Sequence, residues 1–233
     1  MKMYMYKQKY IKYKTKYQNS LNIIHIAGPS GSGKTFLGNK LQSYFGDKAI
    51  IKDLDELRHE HLIENEKTNI SSKTFCDTYE TSYQNYINIF IEKHHRKPII
   101  FVGLNTYILG ENFYFRNEEC KYPNTLFDLH ANKKYYISLD PKIILKQIFD
   151  REFNDHIIWF SEWMRARKDV LFNNLLENEQ QAKNDTCIAL TRVMNLTQFT
   201  KNIEVWNKFY LEQGYTFLSA DEIYENIIKL IDK

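Results

Sequence analysis

Apolar residues come in short runs, separated by longer stretches with helical spacing. Leu21-Asn-Ile-Ile-His-Ile-Ala27, Pro98-Ile-Ile-Phe-Val-Gly103 and Lys134-Tyr-Tyr-Ile-Ser-Leu139 are too short for core helices and are rich in β-branched and aromatic residues. They read as buried strands. Two weaker runs, Asp47-Lys-Ala-Ile-Ile51 leading to Lys52-Asp53 and Gly214-Tyr-Thr-Phe-Leu-Ser219, bring the expected strands to five. Helices are expected between them. The first starts at Phe36 and ends near Phe45-Gly46. A second covers about 72–95, capped by Ser71 or Ser72, with Tyr79, Tyr83, Tyr86, Ile87 and Phe90 on its apolar side. A third opens at Asp140-Pro141, an N-cap followed by a first-turn proline, and runs through Ile144, Leu145, Ile148 and Phe149 to Arg151. Others span about 158–182, 198–213 and 220–231. Residues 105–132, with Gly110 and Pro123, carry few periodic signals and read as a loop or small insertion.

Strands alternating with helices point to an α/β fold with a parallel sheet and right-handed crossovers. The expected architecture is a doubly wound, three-layer domain over 21–233, preceded by a separate segment, 1–20. Ligands of such sheets bind at the carboxyl ends of the strands. Those ends are Ala27, Asp53, Gly103, Leu139 and Ser219.

Composition narrows the setting. No run of 18 apolar residues suggests a membrane span, and the N-terminus has no apolar signal core. The three cysteines, Cys76, Cys120 and Cys187, are scattered and lack metal-ligand spacing. They suggest reduced thiols and a cytoplasmic location. The net charge of +3 is unevenly spread: residues 1–17 hold six lysines and no acid. With those lysines set aside, 26 basic residues face 29 acidic ones, so the body is not a strongly basic nucleic-acid binder. Tyr6, Tyr10, Tyr13 and Tyr17 form one helical stripe in that segment. It reads as a packed amphipathic helix, a solvated tail, or an element that docks a partner. Its Lys-Tyr pattern resembles the N-terminal segments of many giant-virus proteins, which would place the chain in a host cytoplasm or virus factory.

The chemistry concentrates after the first strand. Gly28-Pro29-Ser30-Gly31-Ser32-Gly33-Lys34-Thr35 fits G-x-x-x-x-G-K-[ST], the phosphate-binding loop, in its required strand–loop–helix setting. Glycines let successive N–H groups face one anion, and the helix N-terminus adds partial positive charge. Lys34 suits the β- and γ-phosphates and the Thr35 hydroxyl suits Mg²⁺. At the end of the second strand stand Asp53 and Asp55, with Arg58 one turn later. A phosphoryl-transfer site needs a carboxylate there to orient or deprotonate the acceptor. Asp55, just past the strand, is the candidate base. Arg58 is the candidate for neutralising phosphate charge, and Asp53 for serving Mg²⁺ through water. The structural alternative makes either aspartate a helix cap and Arg58 a surface residue.

These two motifs together resemble the P-loop small-molecule and nucleotide kinases. Asp53-Leu-Asp55 resembles the D-x-D of shikimate kinases. Asp55-Glu-Leu-Arg58 resembles the D-[DE]-x-R of polynucleotide 5′-hydroxyl kinases and zeta-toxin-like kinases. The resemblance implies ATP and Mg²⁺ as cofactors, sheet order 2-3-1-4-5, Asp55 as acceptor-activating base assisted by Arg58, and an arginine-bearing helical lid over about 151–182. Arg151, Arg165 and Arg167 are the lid candidates, with Arg192 weaker. Strand 3 departs from the pattern, because it ends Phe-Val-Gly103-Leu-Asn105 with no acidic residue at its tip. No Asn-Lys-x-Asp occurs, which argues against a guanine-specific GTPase. The expected function is therefore transfer of the γ-phosphoryl of a nucleoside triphosphate to a hydroxyl or phosphate of a small molecule, nucleotide or polynucleotide end, with nucleic acid not favoured. The alternative is a nucleotide-binding regulatory or assembly protein. A crevice filled by 105–132 would favour that alternative.

Overall fold

The computed structural model describes residues 22–106, 112–116, 118–123, 126–144, 147–148 and 196–232. It divides into two units. The first comprises residues up to Gly28, Gly33–Ile137 and Gly214–Lys233. It holds a five-stranded sheet built from β1 (Ile23–Ala27), β2 (Ile50–Asp53), β3 (Ile99–Val102), β6 (Lys133–Ile137) and β7 (Thr216–Leu218). All four strand pairings are parallel. Two further strands, β4 (Asn112–Phe115) and β5 (Glu118–Lys121), pair only with each other, antiparallel. The sheet order is β2-β3-β1-β6-β7. Its numbers differ from the expected 2-3-1-4-5 because the 105–132 segment contributes this hairpin between the third and fourth strands of the sheet.

β1 is central, paired from Ile23↔Ile99 to Ile26↔Val102 on one side and from Ile24↔Lys133 to Ala27↔Tyr136 on the other. Both its faces are covered, and so all five residues are buried. β6 ends at Ile137, short of the expected Leu139, because its pairing stops at Ala27↔Tyr136 and Ile137↔Leu218.

Helices α1 (Lys34–Phe45), α2 (Leu54–Glu66), α3 (Ser72–His94) and α5 (Ala220–Ile231) complete this unit. Ser71 caps α3 by accepting from Thr74 N–H, and Ser219 with Glu222 forms a capping box on α5. On one face, Gly38 of α1 lies so close to the sheet that an added Cβ would sit 3.4 Å from Val102. On the opposite face, the α3 residues Tyr79, Tyr83, Ile87 and Ile91 form a core with Ile23, Ile99 and Phe101. The hairpin extends that core. Ring centroids of Phe115 and Phe75 stack 3.9 Å apart and those of Phe113 and Tyr79 are 4.5 Å apart; beyond the hairpin, the Phe127 ring lies 4.8 Å from that of Tyr83.

Cys76 and Cys120 are joined in a disulfide, with Cα atoms 5.3 Å apart. This corrects the reading of these two cysteines as reduced thiols. A sequence separation of 44 looked like scatter, but α3 and β5 pack side by side. Arg116, at the hairpin turn with φ +48°, donates to the carbonyls of Glu66, Thr68 and Ile70 at 2.5–2.7 Å. These close off the end of α2.

The second unit comprises Pro29–Ser32 and Ser138–Gln213. Its described part holds a helical turn at 141–144 and helix α4 (Leu196–Glu212). Asp140 opens the turn as expected, its carboxylate accepting from Lys142 N–H at 2.7 Å. Ile144, Ile148 and Ile203 are buried together, with Leu139 against them. The expected helix over 158–182, the segment 1–20, and Arg151, Arg165, Arg167 and Arg192 lie outside the described residues.

No helix among the described residues is long and apolar enough to cross a membrane.

Candidate functional site

The loop after β1 takes two left-handed turns at glycine. Gly31 has φ +78° and Gly33 φ +84°. Side chains are strained in that region, and glycine is not. A Cβ on Gly31 would also stand 2.5 Å from Ile148 Cγ1. Ser32 N–H closes the turn on Pro29 O at 3.2 Å. The Ser32 hydroxyl is buried without a hydrogen-bond partner among the described residues. α1 begins at once with Lys34. Gly33 is its N-cap, so no side chain caps it, and no acid stands in its first turn. The N-terminal N–H groups of α1 therefore lack the usual side-chain acceptor. Lys34 Nζ folds back to donate to Gly28 O at 2.7 Å.

Thr35 and Asp53 line one small cavity, about 100 Å³, with Gly38, Asn39, Gln42, Ile51, Glu56 and Val102. None of the described residues of 105–132 lines it. Its donors are a hydroxyl and carboxylates, the hard oxygen set that suits Mg²⁺. Among the described residues, no group of three or more His, Cys, Asp or Glu is gathered to hold a metal. Magnesium commonly uses one or two protein oxygens and completes its shell with phosphates and water. The residues thus fit the ion as partial ligands.

Asp53 is also the N-cap of α2, accepting from Asp55 N–H at 2.8 Å. Burial raises its carboxyl above the ordinary carboxylate range. Asp55 has a largely exposed side chain, 75% accessible. Its Oδ1 is paired with Arg58 Nη2. Arg58 is not the surface residue of the structural alternative. It is 4% accessible, and its Nη1 donates to Leu104 O at 2.8 Å. The guanidinium thus ties the exposed aspartate to the exit of β3.

That exit is held at three successive carbonyls. His25 Nε2 meets Gly103 O at 2.9 Å, Arg58 takes Leu104 O, and Phe127 N–H takes Asn105 O at 2.9 Å. Gly103 has φ +127°, and a Cβ there would approach Leu54 Cβ to 3.1 Å and Asp53 Oδ1 to 3.6 Å. This glycine lets β3 turn directly beneath the β2–α2 corner. Asn105 is 3% accessible, and its amide donates to Phe127 O at 2.9 Å. It braces the loop.

His25 was not singled out from sequence. The signal was available, as one polar residue in the wholly apolar run Ile23-Ile-His25-Ile-Ala27. It is fully buried, and its Nδ1 lies 2.5 Å from Tyr215 OH. A carbonyl only accepts, so Nε2 carries the proton and Nδ1 accepts from the phenol. Burial chiefly pulls its pKa down to about 3, with smaller help from Lys134 and Lys34 and opposition from the Gly103 bond.

His61 lies on α2 beyond the candidate base. His61 is buried among Phe75, Tyr79, Tyr83 and Tyr86, with Nε2 3.1 Å from Ser82 Oγ, and burial lowers its pKa to about 4. Position and surroundings make it a core residue.

No family model matches the chain, and no curated protein matches it either, so the functional reading rests on these residues and their geometry.

Proposed function

We propose that the chain is an ATP–Mg²⁺-dependent phosphotransferase that delivers the γ-phosphoryl group to an acceptor hydroxyl or phosphate. The observation that carries the reading is the pairing at the β2–α2 corner. Thr35 and Asp53 line one small cavity, while the exposed Asp55 carboxylate is fixed by a buried arginine. A protein that only binds nucleotide has no need of a positioned, exposed carboxylate beside the phosphate loop.

The roles follow from the chemistry. ATP with its metal supplies the transferable group and the neutralising charge. The uncapped N–H groups of the loop and of α1 bind phosphate oxygens, and the Lys34 ammonium exchanges Gly28 O for them. Thr35 supplies the hydroxyl ligand of the metal, and Asp53 acts through water. Asp55 Oδ1 is engaged by Arg58, which leaves Oδ2 to accept the proton of the acceptor hydroxyl. Arg151, Arg165 and Arg167 remain the proposed charge clamps on the transferred group.

The test is γ-labelled ATP with Mg²⁺ against a panel of nucleosides, nucleotides, small hydroxyl metabolites and 5′-hydroxyl oligonucleotides. Label should pass to one class of acceptor. Lys34→Ala should abolish both nucleotide binding and transfer. Wild-type protein that binds MgATP and labels nothing would favour a regulatory nucleotide binder instead.

A further inference from the structure

The three carbonyls of the β3 exit receive donors from three different parts of the chain. Gly103 O is held from β1 by His25, Leu104 O from α2 by Arg58, and Asn105 O by the backbone of Phe127. β1 is the strand that leads into the phosphate loop, and α2 carries Asp55. Residues 103–105 are therefore the bridge between the loop's strand and the candidate base. The β1 side of the bridge is a buried side-chain relay. Tyr215 OH, at the entry to β7, donates to His25 Nδ1 at 2.5 Å, and the Asn105 side chain hydrogen-bonds Tyr215 in turn. The rings of His25 and Tyr215 meet edge to face with centroids 5.5 Å apart. Gly103 N–H also donates to Ile26 O at 3.0 Å, so β1 grips the bridge through backbone and side chain together.

We propose that His25, oriented by Tyr215, is a positioning residue that sets the Asp55 carboxylate through Gly103–Leu104–Arg58. It touches no substrate. Its protonated Nε2 fixes one carbonyl, the next carbonyl fixes Arg58, and Arg58 fixes Asp55. A smaller apolar residue would fill the core, but it would leave Gly103 O buried without its donor, and the exit would shift to find another. A misplacement near 1 Å costs on the order of 100-fold in a reaction that depends on alignment. The groups facing His25 are Lys134, Lys34 and the Tyr215 phenol, which all favour the neutral ring that this arrangement needs.

The proposal rests on the phosphotransferase reading for its effect on rate, but its structural half is measurable without nucleotide. Two isosteric variants separate the ring nitrogens. In His25→Gln the amide stands where Nε2 stood and still donates to Gly103 O. In His25→Asn it stands where Nδ1 stood and does not reach. In transfer assays, His25→Gln should stay within about 3-fold of wild type in kcat, and His25→Asn should fall on the order of 10- to 100-fold, both with KM for ATP nearly unchanged. Amide hydrogen exchange without ligand should speed up at 103–106 and 54–58 in His25→Asn only. Should His25→Asn not fold, Tyr215→Phe keeps the ring packing, removes the donor to Nδ1, and should give the same exchange pattern more weakly. Equal kcat and equal exchange in the Gln and Asn variants would overturn the proposal. If the wild-type protein transfers no phosphoryl group to any acceptor, the reading of the reaction falls, and the exchange comparison decides the positioning role by itself.

Discussion

His25 keeps a titratable ring neutral inside a strand, and that has a consequence for stability. The ring's pKa is about 3 in the fold against an ordinary 6.5 when the chain is open. Below pH 6.5 the unfolded chain takes up a proton that the folded chain refuses. Stability from this residue is therefore complete above pH 6.5 and is lost as pH falls toward 3. By pH 5 the loss is roughly 2 kcal/mol. His61, lowered to about 4, acts in the same direction. Denaturant midpoints measured between pH 5 and 7.5 should rise with pH, and the slope should flatten in His25→Gln. A flat wild-type profile would contradict a neutral buried ring. Gly103 allows a second test at this scale. At φ +127° and 3.1 Å from Leu54, Gly103→Ala should cost about 1–3 kcal/mol and disturb the Asp53 corner. An unchanged denaturation curve would remove Gly103 from the bridge. Of these residues the sequence disclosed Asp53, Asp55 and Arg58 by spacing alone. The burial of Arg58 and the partners of His25 were not legible, because both depend on contacts 46 and 78 residues away.

At the scale of elements, the hairpin is the part that periodicity missed. β4 and β5 are four residues each, with exposed glutamates on β5, and they bury Phe113, Phe115 and Cys120 against α3 rather than joining the sheet. Strands this short, interrupted by Arg116 in a left-handed turn, leave no alternation long enough to read. β1, β3 and α3 were legible because each buries a continuous apolar run or stripe. The disulfide fastens hairpin to helix by closing a loop with a separation of 44. A loop of that length corresponds to about 4 kcal/mol in the chain-entropy account, with measured values commonly 2–4. Reduction by a dithiol under mild denaturant should lower stability by about that amount, and Cys76→Ser with Cys120→Ser should reproduce it. Equal stability with and without reductant would mean that the packing of Phe113 and Phe115 alone fixes the hairpin.

For the whole molecule, a parallel sheet brings the loop after β1 and the corner after β2 to the same edge, since parallel strands end on one side. That was readable from alternating strands and helices, and it needed no knowledge of the hairpin. What stayed unreadable is the proposed acceptor. The core behind Asp55 is aromatic, with Tyr79, Tyr83, Phe113 and Phe127 packed on one another. Such a core records packing and not the group that Asp55 meets. The central claim is that Asp55 acts on the acceptor while the loop holds the nucleotide, so the two functions should separate in one variant. The most direct measurement is MgATP affinity by calorimetry together with single-turnover transfer from γ-labelled ATP, in wild type and Asp55→Asn. The expected result is affinity within about 3-fold of wild type, with transfer reduced by a factor on the order of 100 to 10,000. Transfer at the wild-type rate in Asp55→Asn would contradict the account.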